Sequence, residues 1–195
     1  MKNYNKKGII VACMAILGIV HYGLSAQNIE SEENKGVSMN INIGIDEKNR
    51  EAVAQKLRVL LANEYLLYTK TFKFHWNVES THFGDLHKTF QGHYEQLAGF
   101  VDGVAERIRA LGIAAPGTLA EFMQYATLTE EPGKNPDDQG MIRILLDGHE
   151  HIIRQLREDL SFTEQQGDMG TNNFLNDLIE KHEKTAWMLR STLAR

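Results

Sequence analysis

The chain of 195 residues is 42% hydrophobic and 24% charged, with three prolines and a single cysteine, Cys13. That is enough apolar material for one core of ordinary domain size, and it excludes both a disordered chain and a disulfide-built miniature. The first 26 residues hold Lys2, Lys6 and Lys7 and no acid. Without those lysines, 18 basic residues face 26 acidic ones, a net charge of −8 for residues 27–195. So acidic a surface repels polyphosphate and removes the usual driver of non-specific DNA binding.

In chain order, Met1–Lys7 is positive, Gly8–Val20 is an apolar run of 13 residues, and Gly23-Leu24-Ser25-Ala26 is small-sided. The pattern predicts a secretory signal peptide over 1–26, cleaved after Ala26. The run falls short of the roughly 20 residues that span a bilayer. The mature chain would then carry no cysteine and no membrane attachment, and would act in the periplasm or outside the cell. An uncleaved anchor, or translation from Met39, are the alternatives, and the latter would leave the protein cytoplasmic. Residues 27–45 read as a linker, polar and acidic in its first part, and 46–195 as one folded domain.

Beyond the linker, long stretches of Leu, Ala, Glu, Lys, Gln and Arg predict helices. Asp46 is placed to cap a helix to about Asn77, with Val53, Leu57, Leu60, Leu61, Leu67 and Tyr68 as its apolar stripe. A second helix runs from about Thr81 to Leu111 through Phe90, Leu97, Val101, Val104 and Ile108, and Gly112 ends it. Leu119–Ala126 forms a short extra helix in the long connection. Asn135-Pro136 opens a third long helix to about Phe162, and Thr171 caps a fourth. The whole is all-α: a four-helix bundle of the ferritin-like kind, with the short helix between the second and third long ones.

His75, His87, Asp102 and Glu106 are the candidate metal ligands, a nitrogen and oxygen set that suits iron, manganese or zinc. Asp102 and Glu106 share one helix face. His87 lies 15 residues before Asp102 on the same helix, about 22 Å away at 1.5 Å per residue. One ion cannot bridge that span within one chain. The usual bundle site needs Glu-x-x-His pairs, and none of His75, His87, His93, His149, His151 and His182 has a glutamate three residues earlier. A site shared across a two-fold axis is the geometry left open.

His75-Trp76-Asn77-Val78, Phe83, Leu86-His87, Phe90, Tyr94, then Asp102-x-x-Ala105-Glu106-Arg107-Ile108 with Leu111-Gly112, closely resemble the Dps proteins, the starvation-induced mini-ferritins. The resemblance runs from Asn40-Ile41-Asn42-Ile43-Gly44-Ile45 through His182-Glu183-Lys184 and Ala186-Trp187-Met188-Leu189 to the end of the chain. It implies a hollow homo-dodecamer that oxidises Fe²⁺ at dimer interfaces, preferably with hydrogen peroxide, and stores Fe³⁺ mineral inside. It implies His75 and His87 as ligands from one chain, and Asp102 and a bridging Glu106 from its mate. Trp76 would stand beside the site as a radical quencher. Four residues after His87 the family often has an acid, where this chain has Gln91, so the centre is di-iron or mono-iron.

His149 and His182 read as hydrogen-bonded core residues, and His82 and His93 as surface groups. Asp137-Asp138 and Asp147 with Glu150 read as solvated helix faces rather than an ion pore. The alternative function on the same fold is a DNA-binding, nucleoid-protecting shell with incidental iron oxidation. It lacks the lysine-rich tail that such a role uses.

Overall fold

The computed structural model describes residues 41–193, and within them the fold is entirely helical. The signal-like segment, and the linker as far as residue 40, lie outside the described residues. The elements are α1 (Glu47–Asn77), α2 (Phe83–Ala110), α3 (Leu119–Tyr125), α4 (Asp138–Gln165) and α5 (Met169–Leu193). α1 packs against α2 and α4 against α5, with α1 also meeting α4 and the short α3. This is the expected ferritin-like bundle, its two hairpins joined by a long crossover that carries α3. No helix among the described residues is long and apolar enough to cross a membrane.

The core draws on all four long helices: Leu57, Leu60 and Leu67 of α1, Phe90 and Leu97 of α2, Leu145 and Ile152 of α4, and Leu175 of α5 are out of solvent. Their three- and four-residue spacing places each set on one stripe.

Two helix ends show how the sequence stops and restarts the chain. Gly112 has φ +84°, Gly112 N donates to Arg109 O, and Ile113 N donates to Ile108 O, which together close α2 with a left-handed glycine. Gly167 (φ +72°) closes α4 in the same way through Asp168 N to Thr163 O. Asp168, rather than the predicted Thr171, then caps α5: its Oδ1 accepts from Thr171 N at 2.9 Å and also binds Arg107 Nη2 at 2.9 Å. A carboxylate that caps one helix and anchors the end of another outcompetes a hydroxyl three residues on. At α4 the cap is Asp137, accepting from Gly140 N at 2.8 Å, two residues after the predicted Asn135.

Candidate metal centre

His75 stands in the last turn of α1 and His87 in the second turn of α2, so the α1–α2 turn brings them face to face. His75 Nδ1 lies 2.9 Å from His87 O, and His87 Nδ1 lies 2.9 Å from His75 O. A carbonyl can only accept, so each Nδ1 carries the proton and each Nε2 keeps its lone pair. The rings stack at 3.8 Å between centroids. Backbone acceptors on the second nitrogen are the usual means of orienting a ligating imidazole. His75 is buried and His87 half-buried, with Tyr94 edge-on to His75 at 5.2 Å and Phe83 stacked on His87 at 5.0 Å.

Asp102 and Glu106 are not brought to this pair. Both are exposed, one turn apart on α2, and no described residue bonds to either. Among the described residues of one chain, no three His, Cys, Asp or Glu side chains gather as a cation site. Trp76 is 64% exposed, with its ring 4.0 Å from that of Phe72. Gln91 spends its amide on Glu95 Oε1 at 2.8 Å. A Glu-x-x-His spacing does occur at Glu79 and His82, but both are exposed between α1 and α2 rather than facing the bundle interior.

The acidic clusters are largely accounted for by structure. Asp137 caps α4, Asp138 accepts from Ser80 Oγ, and Glu150 pairs with Arg190.

A second polar constellation sits at the centre of the bundle: Glu64 of α1, His93 of α2, His149 of α4 and His182 of α5, all buried. His182 Nε2 lies 2.8 Å from Glu64 Oε1, and His182 Nδ1 lies 2.9 Å from His149 Nδ1. The expectation for His149 and His182 therefore holds, and that for His93 is corrected, since His93 is 7% exposed. The sequence held the signal: Phe90, His93, Leu97 and Phe100 follow one helical stripe. Burial lowers the His93 pKa to about 4, and burial, with His182 and His93 adding, holds His149 well below the usual value. Among the described residues, Glu64 Oε2, His93 Nδ1 and His149 Nε2 have no hydrogen-bond partner.

The ferritin-like domain profile matches residues 54–195. A low temperature-induced protein of Nostoc is 45% identical over 77% of this chain and 85% of its own length. The DNA protection during starvation protein of Helicobacter pylori is 32% identical over 71% of this chain and 96% of its own. The crystal structure of the Dps protein of Vibrio cholerae, described as a member of a broad superfamily of ferritin-like diiron-carboxylate proteins, superposes with a TM-score of 0.76 at 30% identity. It covers 82% of this chain and 100% of that one. By domain, by sequence and by fold, the chain belongs to the ferritin-like family, in its Dps branch.

Proposed function

We propose that the protein is an iron-sequestering ferroxidase that works at sites shared between subunits of a hollow homo-dodecamer. Membership of a ferritin-like diiron-carboxylate superfamily supports iron oxidation and storage in general. The observation that carries the finer reading is the reciprocal His75–His87 pair, which presents two ligand nitrogens at one end of α2. Asp102 and Glu106 stand unpartnered about 22 Å and about 28 Å further along it. A two-fold mate running antiparallel brings its acids to these histidines and generates two equivalent sites per dimer. The nitrogens and carboxylates hold Fe²⁺ as substrate, and Glu106 bridges where two ions bind. Two Fe²⁺ each give one electron to hydrogen peroxide, which takes up two protons and leaves as two waters. Trp76, beside His75 and open to the interface, quenches a stray one-electron oxidant. The ferric product passes inside as mineral.

Anaerobic loading of the assembled protein with Fe²⁺, followed by peroxide, tests this reading. Oxidation at about two irons per peroxide, continuing far beyond the site count, is the expected result. Slow oxidation without mineral would reject it. The printed names of some relatives speak of DNA protection, but the net charge of −8 over residues 27–195 opposes a DNA shell here. The signal-like pattern of residues 1–26 supports export of the shell, and a mature N-terminus at Gln27 is the check.

A further inference from the structure

Peroxide becomes two waters only by taking two electrons, and a single Fe²⁺ gives one. A site that meets peroxide with one ion bound therefore needs a second donor, or it releases a hydroxyl radical. Single loading is favoured here because Gln91, one turn beyond His87, is a neutral amide already engaged with Glu95 at 2.8 Å. The described residues contain no cysteine, and methionine becomes its sulfoxide by losing electrons in pairs. Phenol and indole rings are then the side chains that yield one electron. Tyr94 stands edge-on to His75, the ring centroids 5.2 Å apart. Among the described residues no other phenol or indole ring packs on the histidine pair; the remaining neighbours are Phe72 and Phe83. Behind Tyr94 the rings continue. Tyr94 meets Phe72 at 4.6 Å and Tyr68 at 6.3 Å, and Tyr68 meets Tyr65 at 6.0 Å, all within the range of aromatic pairs. Tyr65, Tyr68, Phe72 and Trp76 follow three- and four-residue spacing on one face of α1. Phenylalanine would serve packing alone. The three hydroxyls bond to no described residue, and none is sealed from solvent in the chain.

Given the shared iron site proposed above, on which this step depends, we propose that Tyr94 is the second electron donor when one Fe²⁺ meets peroxide. Tyr68 and Tyr65 carry the oxidising equivalent onward along α1. In balance, one Fe²⁺, one tyrosine, one peroxide and one proton give one Fe³⁺, one neutral tyrosyl radical and two waters. The phenol proton leaves to the water that its open hydroxyl meets. Each later step passes one electron and one proton from the next phenol to the oxidised one, so the radical moves and the sum is unchanged. Tyr65 lies ten residues before His75, about 15 Å along the helix, and stacks on Phe122 of α3 at 4.4 Å. The oxidising equivalent thus leaves the ligands instead of attacking an imidazole.

The test gives the assembled protein less Fe²⁺ than one ion per site under anaerobic conditions, then peroxide, and freezes it for electron paramagnetic resonance. Iron oxidised and hydroxyl adduct on a spin trap are measured in parallel samples. The expected result is a tyrosyl signal that narrows when the protein is grown on ring-deuterated tyrosine. Tyr94→Phe is expected to lose that signal and to raise the hydroxyl adduct per iron oxidised. Tyr65→Phe/Tyr68→Phe is expected to keep a signal confined to Tyr94, with a changed line shape. Each variant keeps its ring, so the packing survives the loss of the hydroxyl. Iron oxidised with no tyrosyl signal, an indolyl signal of Trp76 in its place, or a tyrosyl signal that Tyr94→Phe leaves unchanged would overturn the relay and spare the iron site. No iron oxidation by the unaltered protein would overturn both.

Discussion

Nε2 of His182 lies 2.8 Å from Oε1 of Glu64, with both side chains wholly out of solvent. The pair ties α1 to α5 through the middle of the bundle. Removing one member of such a contact strands the other. Glu64→Ala is expected to cost about 3 kcal/mol. Glu64→Gln, which keeps an acceptor, is expected to cost about 1 kcal/mol. Denaturant titration of the chelator-treated protein measures both, and equal losses would mean that the carboxylate matters only by its bulk.

The same cluster makes the fold acid-sensitive. An unfolded chain protonates His93 near pH 6.5, whereas the native chain does so only near pH 4, because burial disfavours the charged ring. Between those values the unfolded state holds more protons. Stability is therefore full above about pH 6.5 and drains as the pH falls towards 4, by about 3 kcal/mol per chain. His149, held well below the usual value by burial and then by His182 and His93, adds with the same sign. Thermal midpoints of chelator-treated protein from pH 7 to 4 should show the decline, and His93→Leu should flatten part of it.

The proposed sharing of the iron site between subunits makes a complementation experiment possible. A shell of His75→Ala/His87→Ala chains, or one of Asp102→Ala/Glu106→Ala chains, is expected to assemble and to oxidise iron at least tenfold more slowly. Co-assembled in equal amounts, the two variants rebuild about one quarter of the sites, since half the dimers are mixed and each mixed dimer has one complete set. Peroxide consumption by the mixture against either parent is the measurement. A mixture no faster than its parents would place all four residues' roles within single chains.

Gly112 offers a backbone test. A methyl there would lie 1.8 Å from Ile41 Cδ1, at a residue whose φ is +84°. The Ile41 methyl can swing aside, so the left-handed backbone dominates, and Gly112→Ala is expected to cost about 1–2 kcal/mol. Ile41→Ala in that background should recover only the steric part. Full recovery would mean that the backbone tolerates alanine.

The bundle was legible because its signals are periodic and local. Leu57, Leu60, Leu97 and Leu145 repeat with the helix, and Gly112 punctuates it. Helix starts were less so, since Asn135, Asp137, Asp168 and Thr171 are all competent caps and tertiary partners decide among them. Arg107, 61 residues before Asp168, tips that choice. His75 and His87 could be paired from their motif, but their mutual carbonyl bonds depend on how the α1–α2 turn closes. His93 misled because histidine is a polar letter on an apolar stripe. Its neighbours in space come from α4, where no spacing rule reaches.

The two carbonyls that hold His75 and His87 are amide oxygens, and amides neither titrate nor change charge when cargo arrives. On the proposed function, the ligand face is thus built by the hairpin itself, before any ferrous ion reaches it and after every one has left. A shell that has given up its store returns to the same starting geometry. On that reading, refilling requires no rebuilding of this pocket.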